Sequence, residues 1–175
     1  MQASKFCLTC GNPLEEKMRD GRNRLVCSDN TCDYVFWNNP TPVVAAIVQQ
    51  GENVILVQSI GWQKHWYALV TGFLEAGEHP ESGVKREVEE EVGLTPKSIH
   101  FVGLYSFVRM NQLIIAYHVE VGEGEVKLQT SELSDYKIVP IEKVQPWDAG
   151  TGHAVRDWLR TKGYERKLIP LNEIR

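Results

Sequence analysis

The stretch GFLEAGEHPESGVKREVEEEVGL, residues 72–94, is a glycine-bearing loop that runs into a charged helix. Pro80 suits a first helical turn and Gly93 a left-handed stop, so the spacing predicts a helix over 80–92. Glu87, Glu89, Glu90 and Glu91 crowd its C-terminal end, where the helix dipole and their own neighbours both repel them. At about 100° per residue, Val84, Val88 and Val92 form an apolar stripe, with Glu87, Glu90 and Glu91 beside it. Glu89 points away from both and is read as a solvated surface charge. Three carboxylates at i, i+3 and i+4 destabilise a helix. Two outcomes relieve them: solvation on an open face, or hard divalent cations that reverse the local charge balance.

Around this stretch the composition is that of one ordinary domain with a small appendage. The chain has 175 residues, 42% of them hydrophobic and 24% charged. A net charge of −4 argues against a general nucleic-acid or membrane-surface binder, so nucleic acid is an unlikely partner on this reading. No apolar run approaches the roughly 18 residues of a membrane span. The opening MQASKFCLTCGN has no apolar core of a secretory kind, which makes a cytoplasmic location the expectation.

The four cysteines all fall within residues 7–32. CLTC supplies Cys7 and Cys10, CSDNTC supplies Cys27 and Cys32, and the excursion between the pairs can return as a hairpin. That arrangement suits a closed tetrahedral zinc site of four thiolates, structural rather than catalytic. The alternatives are two disulfides or a redox-active Cys-x-x-Cys. Lys5, Lys17, Arg19, Arg22 and Arg24 share the segment with Glu15, Glu16, Asp20, Asp29 and Asp33, so it reads as a mixed-sign solvated surface. The segment NNPTP (38–42) reads as a connector.

Downstream, VVAAIV (43–48), NVILVQ (53–58), WYALV (66–70), IHFVGLYSFV (99–108), LIIAYHVEV (113–121) and YKIVPI (136–141) read as strands. TGHAVRDWLRTKG (151–163) reads as a helix, with Thr151 as its cap and Gly163 as its stop. Strands with a few interspersed helices indicate an α/β (α+β) layered domain. The expected divisions are 1–37 for the cysteine segment, 38–150 for the main domain, and 151–175 for a terminal helix and tail.

From Gly72 the chain also fits Gly-x5-Glu-x7-Arg-Glu-U-x-Glu-Glu-x-Gly-U, with U apolar, at every specified place. A chance match in a chain of this length has odds on the order of 10⁻⁷. The stretch resembles the signature of the Nudix hydrolases, which cleave nucleoside diphosphates linked to another moiety and use magnesium or manganese. The resemblance implies an α/β/α sandwich with a mixed sheet, preceded by the small zinc ribbon. It implies that Glu87, Glu90 and Glu91 hold Mg2+ or Mn2+, with the Gly72 carbonyl as a further ligand. Glu87 is then the candidate general base, Arg86 the residue that orients the carboxylates, and Glu78 the loop acid beside the site. Glu132, in TSELSDY, falls where ribbon-bearing members place another catalytic acid.

A ribbon before a Nudix domain resembles the NADH pyrophosphatase branch, and the FAD pyrophosphatases of plants share the layout. The Ser-Gln-Pro-Trp-Pro-Phe-Pro-x-Ser array of the NADH enzymes is absent; LYSFVRMNQLIIAY (104–117) stands in its place. The expected substrate is a small nucleotide with an ADP half: NAD(H), FAD or ADP-ribose. Candidate contacts to it are Phe73, Tyr105, Arg109 and Trp66, with Trp62, Tyr67 and Phe107 as further aromatics. The alternatives are a nucleotide-sensing module and an enzyme that removes a nucleotide cap from RNA. The resemblance also implies a homodimer.

Overall fold

A computed structural model describes residues 5–170. Two compact units are present, one ending at Pro40 and the other beginning at Thr41. In the first, β1 (Leu14–Arg19) and β2 (Arg22–Cys27) form an antiparallel hairpin across Asp20-Gly21, and β3 (Val35–Phe36) joins β2. The Leu14–Cys27 register returns the chain from the first cysteine pair to the second.

The second unit is built on β4 (Thr41–Gln50), β5 (Asn53–Ser59), β6 (Val70–Phe73), β7 (Pro96–Phe107), β8 (Gln112–Val121) and β9 (Leu133–Pro140). Their order is β7-β8-β4-β5-β9, with β6 also on β4. β4 runs parallel to β8 and antiparallel to β5 and β6, so the sheet is mixed. The helices α1 (Pro80–Val92) and α2 (Gly152–Thr161) cover its two faces.

Why VVAAIV is apolar at consecutive positions follows from this layering. Val44, Ala46 and Val48 join the α1 valines in one core, while Ala45 and Ile47 join Ala154, Val155, Trp158 and Leu159 of α2 in the other. A strand covered on both faces has no solvent side to alternate with. Val84, Val88 and Val92 are fully buried, and each contributes on the order of 1.5–2 kcal/mol by leaving water.

Three local expectations need correction. WYALV does not form a strand over 66–70: the strand begins at Val70, and Ala68 makes only an isolated bridge to Val57. The Gln58 side-chain amide donates to the carbonyls of Gln63 and Trp66 (3.0 and 3.2 Å), holding that segment as a loop. Thr151 does not cap α2 with its side chain; its backbone is already in the right-handed helical region. The connector is also shorter than expected, because Thr41 and Pro42 already belong to β4.

The helix ends show why α1 tolerates its acids. His79 is the N-cap, and its Nδ1 accepts from the Glu81 N–H. Gly93 adopts φ 68°, and the segment after β8 returns along the helix end. There the Gln129 and Lys127 N–H groups donate to the carbonyls of Glu91 and Val92 (3.0 and 2.9 Å). Residues 166–169 lie against 142–148: Asp148 N–H donates to Ile169 O, and the Gln145 side chain to Lys167 O. The last five residues of the tail lie outside the described residues.

Candidate active site

Arg86 organises the acids of α1. Its guanidinium grips Glu78 in a two-pronged fork, Nε to Oε1 at 2.9 Å and Nη2 to Oε2 at 3.0 Å. Nη1 donates to Glu87 Oε1 at 2.6 Å and Glu90 Oε2 at 3.2 Å, and Nη2 to the Phe73 carbonyl at 3.2 Å. One side chain thus ties the loop, its glutamate and two helix carboxylates together. Fork-to-carboxylate bonds of this kind are strong and directional. Arg86 is held even more firmly protonated than usual, first by Glu78 and then by Glu87 and Glu90. Arg86 in turn holds the Glu78 carboxyl below the ordinary range, helped by the Glu75 N–H.

The end of β6 comes into contact with the helix at Gly72. A Cβ there would lie 1.9 Å from the Glu87 carboxyl carbon, so any larger residue at this place would push that carboxylate aside. Glu87 and Glu91 are buried, Glu90 is exposed on the same side, and Glu89 faces away toward Lys85. Burial raises the Glu87 carboxyl, outweighing Arg86, and pushes Glu91 up to about 8. Glu132 raises both further by its charge. It stands just before β9, on the segment that Gln129 docks onto the end of α1. Four acids from two distant parts of the chain therefore converge.

Glu91 Oε2 is buried without a hydrogen-bond partner. An unpartnered carboxylate oxygen among other carboxylates fits a hard cation. The donor set of Glu87, Glu90 and Glu91, with the nearby Gly72 backbone, suits a divalent ion of the magnesium type.

Beside the acids opens a cavity of about 780 Å³. Gly72, Arg86, Glu87, Glu90 and Glu132 line its acidic end, and Phe73, Trp62, Trp66 and Tyr67 another wall. Phe107 comes from the end of β7, and Arg109 and Met110 from the turn between β7 and β8. Of the expected substrate contacts, Phe73, Trp66 and Arg109 line this cavity. Tyr105 does not: its hydroxyl donates to Asp157 Oδ2 at 3.1 Å, and the ring packs with the α2 core. Tyr105 and the cavity-lining Phe107 share the α2 face of β7, and Tyr105 lies two residues further from the strand's end, where Asp157 holds it. Trp147, Thr151 and Gln129 also line the cavity and carried no signal of this in the sequence.

In the first unit, the Sγ atoms of Cys7, Cys10, Cys27 and Cys32 all lie within 4.8 Å of one another. The closest approaches, Cys10–Cys27 at 3.4 Å and Cys7–Cys32 at 3.7 Å, are far longer than a disulfide. They are close to the edge of a tetrahedron with metal–sulfur bonds of about 2.3 Å. The Thr9 N–H donates to Cys7 Sγ at 3.3 Å, as a metal-binding knuckle requires. The four-thiol cluster is therefore suited to one metal ion.

A two-helix sandwich with a mixed sheet, whose glycine loop feeds an acidic helix at an open cleft, defines the class of Nudix-fold hydrolases. The chain belongs to the Nudix family: the family described as "NUDIX domain" matches residues 39–158, and the one described as "Nudix N-terminal" matches 5–38. Curated relatives include "NAD-capped RNA hydrolase NudC" of Pseudomonas putida, 28% identical over 83% of this chain and 51% of that protein. The chain spans about half the length of the curated relatives it matches. Among solved structures, a NUDIX hydrolase from Nitrosomonas europaea shares the fold with a TM-score of 0.74 at 20% identity, over 95% of this chain and 98% of that one. An ADP-ribose pyrophosphatase from Streptococcus suis shares it with a TM-score of 0.58 at 18% identity, over 75% and 98%.

Proposed function

We propose that this Nudix hydrolase cleaves the pyrophosphate of an ADP-containing nucleotide: NAD(H), FAD or ADP-ribose. The observation that carries the reading is the buried, unpartnered Glu91 oxygen beside Glu87, because such a pair needs a cation to be stable there. Mg2+ or Mn2+ bound there would neutralise the diphosphate oxygens and acidify an attacking water. Arg86 holds Glu87 and Glu90 in place, Gly72 leaves room for them, and Glu87 or Glu132 accepts the proton of the water. Phe73, Trp66 and Arg109 hold the nucleotide at the far side of the cleft. Zn2+ in the four-cysteine site completes the first unit.

A second reading has a specific observation in its favour. Relatives matched over most of this chain are described as hydrolases of NAD-capped RNA. The expectation against nucleic acid, drawn from the net charge and the mixed-sign ribbon segment, is therefore unsupported, and the ADP half can belong to a cap on RNA. Both readings suit a cytoplasmic enzyme; no helix among the described residues is long and apolar enough to cross a membrane. Homodimer formation belongs to the same proposal and would register as a doubled mass in light scattering.

The deciding experiment measures product release from NADH, FAD, ADP-ribose and NAD-capped RNA with magnesium or manganese, beside Glu90→Gln. Cleavage of one substrate, lost in that variant, names the substrate class. Failure of all four, with metal bound and the fold intact, would leave the nucleotide-sensing module as the better reading.

A further inference from the structure

The register of the ribbon hairpin places like charges opposite one another. Lys17 faces Arg24, and Arg19 faces Arg22, on alternate rungs of β1 and β2 that share a face. Side chains directly opposite in an antiparallel pair share a face, and like charges there destabilise the sheet. Two of the acids that balance this segment in the sequence are turned elsewhere. Glu16 faces Leu25 on the other side of the hairpin, and Asp29 accepts from Thr31 and Asn12 within the second knuckle. Of the two strand acids, Glu15 shares the cationic face, paired with Lys17 at 2.6 Å.

The same face carries an ordered aromatic ring. Trp37 follows β3, its ring 4.9 Å beneath the Arg24 guanidinium, while Arg24 Nη1 donates to the Trp37 carbonyl at 3.0 Å. Trp37 remains 45% exposed. Four cations and one held indole are a poor way to build a small domain. They suit a flexible chain that carries both phosphates and flat bases.

The geometry points to a docking face for single-stranded nucleic acid on the ribbon, with Lys17, Arg19 and Arg22 taking backbone phosphates and Trp37 stacking a base. The two rungs lie about 6.8 Å apart by strand rise, close to the spacing of successive phosphates in an extended strand. Three of the four cations are arginines, whose forks match phosphate oxygens. Aromatic stacking beside a cationic track is how single strands are held without sequence preference. This site deepens the RNA reading of the catalytic cleft, but it is tested by binding and not by hydrolysis. Its failure therefore leaves cleavage of a free dinucleotide standing.

The test is fluorescence anisotropy of a short labelled oligoadenylate with the full chain across a salt series. A Lys17→Gln/Arg19→Gln/Arg22→Gln variant should bind at least about tenfold more weakly, and its slope of log affinity against log salt should fall by about 2. Metal content and melting temperature should be retained, since the substitutions remove repulsion. Trp37→Leu should weaken binding while leaving the salt slope unchanged. The proposal is overturned if the unaltered chain does not bind the oligonucleotide, or if the triple variant binds it equally well. Binding to anionic phosphatidylserine vesicles in preference to RNA would overturn it too, marking the face as a membrane contact.

Discussion

The α-carbon of Gly72 lies so close to Glu87 that a single added methyl would overlap the carboxylate, at 1.9 Å from its carbon and from Oε1. The loop and the acidic helix are thus one device, and the missing side chain is what lets it close. Gly72→Ala should lower kcat/KM by about a hundredfold or more by displacing Glu87. The protein should still fold, with a loss of about 1–3 kcal/mol from overpacking. Steady-state kinetics beside a denaturant titration would separate the two effects.

Arg86 makes its contacts as a planar fork, and lysine has no fork. Arg86→Lys should cost about tenfold to a hundredfold in activity despite conserving charge. Glu89→Gln, on the outward side of the same helix, should cost almost nothing. An equal loss in both variants would mean that helix charge, and not the Arg86 contacts, governs the site.

Glu91 should reveal itself through metal-dependent stability. At a metal concentration of about 100 times Kd, binding stabilises the native state by about 2.7 kcal/mol, or about 5–10 °C in Tm for a chain of this size. Thermal melts with manganese and with chelator should show this gain in the unaltered protein. In Glu91→Gln it should largely vanish, while the melt in chelator stays the same or rises.

His118 sets an acid limit. Burial, with Lys162 and His100 adding to it, pushes its imidazole down to about 4, and its Nε2 pairs with Gln49 at 2.7 Å. An unfolded histidine titrates near 6.5, so between 6.5 and about 4 the unfolded chain binds the extra proton. The contribution is therefore complete above pH 6.5 and lost as pH falls through that window, by on the order of 2–3 kcal/mol. Urea titrations at several pH values should show this slope in the unaltered protein and a flatter one in His118→Leu.

Cys10→Ser removes one thiolate from a unit too small to hold a large core of its own. Structural zinc supplies on the order of 10 kcal/mol to such domains, so the variant should lose its metal and the protection of its hairpin amides. The unit from Thr41 onward keeps its two cores and should retain its own melt. Metal analysis by mass spectrometry with hydrogen exchange would check both halves of this expectation.

Much of this architecture was legible because its signals are local. Pro80, the valine stripe and Gly93 bracket α1 within one short window, and the structure places the helix at Pro80–Val92. The cysteine spacings announced a four-thiol cluster for the same reason. The errors fell where side chains decide between alternatives of equal pattern. WYALV is apolar and β-prone, yet the Gln58 amide holds its first half as a loop. Tyr105 had the composition of a substrate contact, and its hydroxyl is engaged by Asp157 of α2, away from the residues that line the cavity.

The sequence by itself determined the acidic helix, its glycine loop, the cysteine knuckles and the family they mark, since each rests on spacing along a few turns or residues. Only the tertiary structure decided that Glu132 joins the helix acids, that β4 is covered on both faces, and that four ribbon cations gather on one hairpin face, opposite the side that carries Glu16. Those outcomes depend on strand register and on the return of a distant segment. Opposite charges that cancel in a composition can lie on opposite faces of a hairpin, because side chains alternate along a strand and pair only across it.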